Sequence, residues 1–310
     1  MVAGAACLLP YAKSLCIPKS FHPHLHMATK PLKRTHPLVR KNASFPFQIS
    51  IACWIDLLGY GAMIAEADFN PLHSKAKASL ARLRRFHRIV ASHSVRYFPT
   101  LVMNDGAVAY RDLSLRSRSV THDFLCRAWD LFREIKTTEA ADGFPGARLV
   151  LAAGFRMRGR RAGIDRTNKQ FQSVMRRFQA KQIDASQAIA EAAAVRQSFD
   201  IVPQLQANFA FTKAYVAESG GSALGLGGGN FFVDLALFEN PPPAWLKLGQ
   251  TIHWSHPRLG LHTDFAPVED IPIWKHMEDG PIGILDGLQI AQKLAGDPDV
   301  LSALRKAEKP

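Results

Sequence analysis

The sequence predicts an α+β fold: one mixed sheet backed by helices on one face, with a helical insertion. Three observations predict it. Apolar runs of strand length, over about 49–55, 148–155 and 230–238, alternate with stretches of helical period. Asn104-Asp105-Gly106 stands between two apolar runs within about 96–112, the strongest short hairpin signal in the chain. Residues 168–197 favour helix throughout and contain no Pro or Gly.

Residues 1–45 hold seven Lys or Arg, no Asp or Glu, and no sustained period, so they read as a flexible basic N-terminal arm. Met27 is an alternative start. Pro10 interrupts a short apolar patch that has no strong basic start, so a cleaved signal peptide is not expected. His22, His24 and His26 read as a solvated tail rather than a metal site. The first strand is apolar enough to be buried on both faces and ends in one carboxylate, Asp56. Between Leu72 and Val90, Ala76, Leu80, Leu83, Phe86 and Val90 recur at helical spacing, with Arg82, Arg84, Arg85 and Arg88 assigned to a solvated surface. Val120, Phe124, Ala128, Leu131 and Ile135 mark a second helix over about 119–136. The strand from Arg148 runs to Phe155 and into Arg156, Arg158, Arg160 and Arg161. In a helix from Gln204 to Glu218, Leu205, Phe209, Thr212 and Val216 share a face. The glycine-rich stretch 219–229 lacks the spacing of a phosphate loop or a dinucleotide fingerprint and reads as a turn. After Pro241-Pro242-Pro243 the chain reads as loop-rich, with a short helix over about 284–295. His253 and His256 lack a third ligand and read as loop histidines. The organisation expected is therefore an arm over 1–45, a domain over 46–240 interrupted by a helical insertion at about 160–200, and an extension over 241–310.

Hydrophobic residues make up 47% of the chain, enough for a full core and too many for a disordered chain. The net charge is +13, concentrated in the arm and in residues 156–181, which favours anionic partners such as nucleotides. Cys7, Cys16, Cys53 and Cys126 show no C-x-x-C spacing and read as reduced, as in a cytoplasmic protein. No apolar run approaches about 18 residues, so no membrane-spanning helix is expected.

A charge at the end of a buried strand is costly unless it is paired. An Asp N-cap for the next helix is one reading of Asp56. The second is functional: with the hairpin beside the first strand, Asp56 and Asp105 converge from two strand ends. Paired carboxylates in oxygen-rich surroundings suit Mg²⁺ or Mn²⁺, and two such ions about 4 Å apart suit phosphoryl transfer. Arg156, Arg158 and Arg160 would then form a triphosphate clamp, or else plain surface charge.

The stretch Asp56-Leu57-Leu58-Gly59-Tyr60 resembles the Asp-Ile-x-Gly-Phe signature of class III nucleotidyl cyclases. Asn104-Asp105-Gly106 resembles that family's second metal-aspartate turn. Ala153-Gly154-Phe155 falls at its next core strand, and Asn208 on the helix where it carries a transition-state Asn and Arg. With Tyr60 and the run from Asn208 to Tyr215, the arrangement is similar to the bacterial pyrimidine cyclases of the Pycsar antiphage systems, over roughly residues 48–239. One departure is that Thr212 stands four residues after the Asn, where the family has Arg, with Lys213 next. The resemblance implies a ferredoxin-like palm sheet and a cytoplasmic homodimer that converts UTP, or alternatively CTP, to a 3′,5′-cyclic monophosphate and pyrophosphate. It implies Mn²⁺ or Mg²⁺ at Asp56, Leu57 and Asp105 and catalytic roles for Asn208 and Lys213; Arg156 and Arg158, from the basic cluster at the strand end, are the candidate substrate contacts. It also implies a separate effector activated by the product. Tyr60 is the candidate base contact, with a core aromatic as the alternative. A basic nucleic-acid-binding protein without turnover is the competing function, although no DNA- or RNA-binding motif is present.

Overall fold

The computed structural model describes residues 47–157, 166–195, 202–272, 282–295, 299–300 and 302. The basic arm, Arg158 and Arg160 lie outside the described residues. From the N-terminal side, the elements are β1 (Phe47–Leu57), α1 (Tyr60–Ala65), α2 (Ser74–His93), β2 (Thr100–Met103), β3 (Gly106–Asp112), α3 (Arg118–Ala141) and β4 (Ala147–Met157). They continue with α4 (Arg166–Gln179), α5 (Ala185–Ala194), α6 (Phe209–Gly220), β5 (Phe231–Asp234), β6 (Lys247–Leu248), β7 (Ile252–His256), β8 (Leu261–Asp270) and α7 (Gly287–Leu294).

The expected mixed sheet is present, with strand order β2-β3-β1-β4-β5-β8-β6 and β7 paired to β8. The hairpin does lie beside the first strand: β1 pairs antiparallel with β3, placing Asp56 opposite Gly106. On its other side β1 pairs antiparallel with β4, placing Asp56 opposite Arg148 and Gln48 opposite Arg156. β4 and β5 run parallel, so the connection between them must cross over, and it carries α4, α5 and α6.

Helices cover both faces rather than one. Alternation along β1 sends Ile49, Ile51, Cys53, Ile55 and Leu57 into a core with residues of α2, α3 and α7. Ala52 and Trp54 point the other way, against Ala210, Ala214 and Ala217 of α6. The buried face of α6 is thus its small-residue face, and Phe209, expected inside, is half exposed. Close approach explains the inversion. A Cβ at Gly154 of β4 would come within 2.4 Å of the Ala210 backbone nitrogen, so α6 lies too near the sheet for large side chains.

The stretch after residue 240, expected to be loop-rich, instead extends the sheet. β8 pairs with β5, β6 and β7, and α7 packs its Ile290 and Ala291 into the main core. The insertion keeps a small core of its own, Val174, Ile183 and Ala188, between α4 and α5.

Candidate active site

Asp56 and Asp105 line one pocket of about 820 Å³ at the end of β1. Two backbone bonds hold the turn that follows Asp56. Leu57 N–H donates to the Asp105 carbonyl at 3.1 Å, and Leu58 N–H donates to the Gly146 carbonyl at 3.0 Å. Gly59 then turns the chain at φ 74°, a left-handed conformation that favours glycine. Gly106 is needed for a different reason: a Cβ there would strike the Trp54 ring at 2.4 Å and crowd Asp56 Oδ1 at 3.2 Å. Asn104 takes the left-handed position of the hairpin turn, and its amide donates to Asp105 Oδ1 at 2.9 Å.

The pocket is rich in carboxylates. Burial, followed by the charges of Glu218 and Asp105, pushes the Asp56 carboxyl up to about 7, against the opposing pull of Arg148. Glu218, on α6, is likewise raised, mainly by burial. Trp54's indole N–H is near enough to Glu218 to favour its ionised form, although it falls outside hydrogen-bond geometry. Arg148 reaches in from β4 and donates from Nη1 to the Glu218 carbonyl at 3.1 Å and to Oε1 at 3.2 Å. Trp54, Phe211 and Tyr215 form an aromatic wall, with Trp54 and Tyr215 edge-on at 5.2 Å between ring centroids.

The donor set suits a hard divalent ion. Carboxylates that raise one another's proton affinity are the groups such an ion would neutralise. Asp56 and Asp105 would hold it. Leu57 has an apolar, buried side chain, so its backbone carbonyl is the atom it could offer. Among the described residues no group of three or more His, Cys, Asp or Glu forms a metal cluster. Nor do His253 and His256 form a ligand pair, since three residues apart on β7 they project to opposite faces.

The other sequence-predicted site residues are placed as follows. Tyr60 opens α1, lines the pocket and is largely buried; burial and then the Asp105 charge raise its phenol. Arg156 stands at the opposite end of β4 from Arg148. With Gln48 as its register partner, it lies eight positions along β1 from Asp56, roughly 26 Å away. There it forms a bidentate pair with Asp112, at 2.8 and 2.6 Å, and donates to Gln48 Oε1. It therefore does not clamp a phosphate at Asp56. Asn208 is the N-cap of α6. Its Oδ1 accepts from Phe211 N–H at 3.0 Å, and its amide donates to Ser50 and Gln204. Lys213 is buried and donates to Asp234 Oδ2 at 2.6 Å. Neither Asn208 nor Lys213 lines the pocket; each has a structural role inside its own chain.

Arg148 and Glu218 are the pocket groups that sequence reasoning passed over. The signal was register: in an antiparallel pair, the residue that starts β4 must face the residue that ends β1.

No protein-family model matches the sequence, and no curated protein matches it. Among solved structures, the chain is similar to the guanylyl cyclase Cya2, at 11% identity and a TM-score of 0.41, over 77% of this chain and 98% of that one. It is similar to a dimeric guanylyl cyclase domain of the RhoGC fusion protein from the aquatic fungus Blastocladiella emersonii, at 10% identity and a TM-score of 0.38, over 72% and 96% of the two chains. A third likeness is to a bacterial light-regulated adenylyl cyclase, at 10% identity and a TM-score of 0.39, over 83% of this chain and 57% of that one.

Proposed function

We propose that this protein is a metal-dependent nucleotide cyclase that converts a pyrimidine nucleoside triphosphate, UTP in preference to CTP, to its 3′,5′-cyclic monophosphate and pyrophosphate. The observation that carries the reading is the convergence of Asp56 and Asp105 on one pocket, with Arg148 opposite. Carboxylates alone would repel a triphosphate, so a cation bound by them is what makes the pocket hospitable to it. Bound there, divalent ions would neutralise phosphate charge and lower the pKa of the ribose 3′-hydroxyl. Arg148, the cation that lines the pocket among the described residues, sits to neutralise a phosphate oxygen, and Glu218 holds its guanidinium in place. The rest is positioning, which accounts for much of phosphoryl-transfer catalysis. Tyr60 and the aromatic wall offer flat apolar surface to a base. The pyrimidine preference rests on the sequence resemblance around Asp56 and Asn208, as do the homodimer, the product-activated effector and a role in antiphage defence.

Incubating the purified protein with each of the four ribonucleoside triphosphates and Mn²⁺, and identifying products by mass, tests the reading. Cyclic UMP and pyrophosphate are the expected main products. Cyclic AMP or cyclic GMP as the main product would refute the pyrimidine assignment. Salt-sensitive nucleic-acid binding without turnover would refute the enzyme.

A further inference from the structure

Arg82 projects from α2 and is fully buried. Sequence reasoning assigned it to a solvated helix surface. Its Nε and Nη2 instead donate to Glu139 Oε2 of α3, at 2.9 and 2.5 Å. Nη2 also donates to the Leu58 carbonyl at 2.9 Å and lies 3.5 Å from the Gly146 carbonyl. The guanidinium stacks over the Phe144 ring at 4.5 Å, and Nη1 meets Met63 Sδ of α1 at 3.5 Å. One side chain thus ties α1, α2, α3 and the loop before β4 to the turn two residues past Asp56.

Stability alone does not call for this pair. A buried ion pair loses the solvation of both charges, and apolar side chains of similar volume commonly serve as well or better. What apolar side chains cannot do is donate to the Leu58 carbonyl. That carbonyl and the Leu58 N–H, bonded to Gly146, fix two successive peptide planes. A trans peptide points its carbonyl opposite its N–H, so fixing Leu58 N–H also fixes the direction of the Leu57 carbonyl. Lysine could not replace the arginine, because a single ammonium lacks the planar fork that reaches Glu139 and Leu58 together.

We propose that Arg82, held by Glu139, is a positioning residue for the metal-binding turn: it sets the Leu57–Gly59 backbone so that Asp56 and the Leu57 carbonyl meet the ion from a fixed frame. The inference rests on the reading of Asp56 as a metal ligand.

The decisive variant replaces the pair by apolar residues, Arg82→Met with Glu139→Leu. It leaves no buried charge unpaired, so its circular dichroism and urea midpoint should stay near those of the wild type. Two measurements need no turnover. Hydrogen exchange at residues 57–60 should accelerate, and Mn²⁺ affinity, read from electron paramagnetic resonance without nucleotide, should fall by about 10- to 100-fold, the usual effect of removing a group that orients a metal ligand. Arg82→Lys, which keeps the charge on Glu139, should show a smaller loss of the same kind and decides by the same measurements if the double variant does not fold. Folded variants with wild-type exchange and wild-type Mn²⁺ affinity would overturn the inference and leave the metal site standing. A wild-type protein that binds no Mn²⁺ would overturn the metal reading itself, and the inference with it.

Discussion

Asp56 and Lys213 are both charged groups inside the fold, and the structure gives them opposite accounts. Asp56 is held against its own ionisation. In the unfolded chain it titrates near 3.8, while in the metal-free fold its carboxyl is raised to about 7 by burial, Glu218 and Asp105. The fold therefore binds the proton more tightly than the unfolded chain, and this residue costs stability as pH rises from about 4 to 7. Asp56→Asn removes that cost. In metal-free buffer the variant should unfold at a higher urea concentration than the wild type, with a gain that grows between pH 5 and 7.5 and is on the order of 1–2 kcal/mol after allowance for solvent screening. Added Mn²⁺ should reverse the ranking, because only the wild type can bind the ion through a carboxylate. An Asn variant that is less stable at pH 7.5 without metal would show that the attraction of Arg148 for the Asp56 carboxylate outweighs its burial. Lys213 instead supports the fold through its ion pair with Asp234. Asp234, fully buried, also accepts from Thr263 Oγ1 at 2.8 Å and from the Ala153 and Ala236 amides, so its network is satisfied only with the ammonium in place. Lys213→Met should cost about 3–5 kcal/mol in urea unfolding. Lost turnover with unchanged stability would instead support the catalytic role that the sequence resemblance implies.

At the scale of elements, local chemistry decided what the sequence disclosed. β1 and the β2–β3 hairpin were legible because a doubly buried strand has a distinctive apolar run and an Asn-Asp-Gly turn has specific dihedral demands. β7 and β8 were hidden because their pairing leaves His253, Ser255, His262 and Asp264 exposed on one side, so the segments read as polar loop. The face of α6 was read inverted because hydrophobicity ranks Phe above Ala, whereas a helix lying against Gly154 needs Ala. The site shows the same division. Asp56 and Asp105 could be found from local motifs, but choosing Arg148 over Arg156 required the β1–β4 register, a long-range property. The α4–α5 insertion follows local rules most fully, and that has a measurable consequence. Its apolar support is the Val174–Ile183–Ala188 cluster, with Phe171, Phe178 and Ile189 left exposed. Native-state hydrogen exchange should therefore show α4 and α5 opening at lower free energy than β1 and β4. Equal protection in the two regions would mean that the insertion unfolds only with the sheet.

For the whole molecule, the question is whether one chain makes a complete site. Within one chain, the pocket gathers Asp56, Asp105 and Arg148, the groups proposed above to hold an ion and a phosphate. Asn208 and Lys213, for which the sequence resemblance implies catalytic roles, are bonded within their own chain, as the α6 cap and to Asp234. The case for a second copy now rests on surface. Met103 at the hairpin tip and Tyr215 on the aromatic wall are 41% and 46% exposed, and Phe209 on the same helix as Tyr215 is 50% exposed. Met103 and Tyr215 line the pocket and Phe209 lies toward the other end of α6; in the homodimer proposed above, a two-fold pairing of identical chains would cover these side chains and both pockets with one interface. Specific activity should then fall on dilution, tracking the dimer fraction seen by sedimentation equilibrium. Phe209→Lys, outside the pocket lining, should shift the protein to monomer and reduce turnover at least tenfold at a fixed concentration, the effect of an unfavourable change of about 1.4 kcal/mol or more in dimer formation. Its Mn²⁺ affinity should stay at the wild-type level, since the carboxylates and the turn that holds them belong to one chain. A wild-type monomer whose turnover per chain is the same at every concentration would show that one chain suffices.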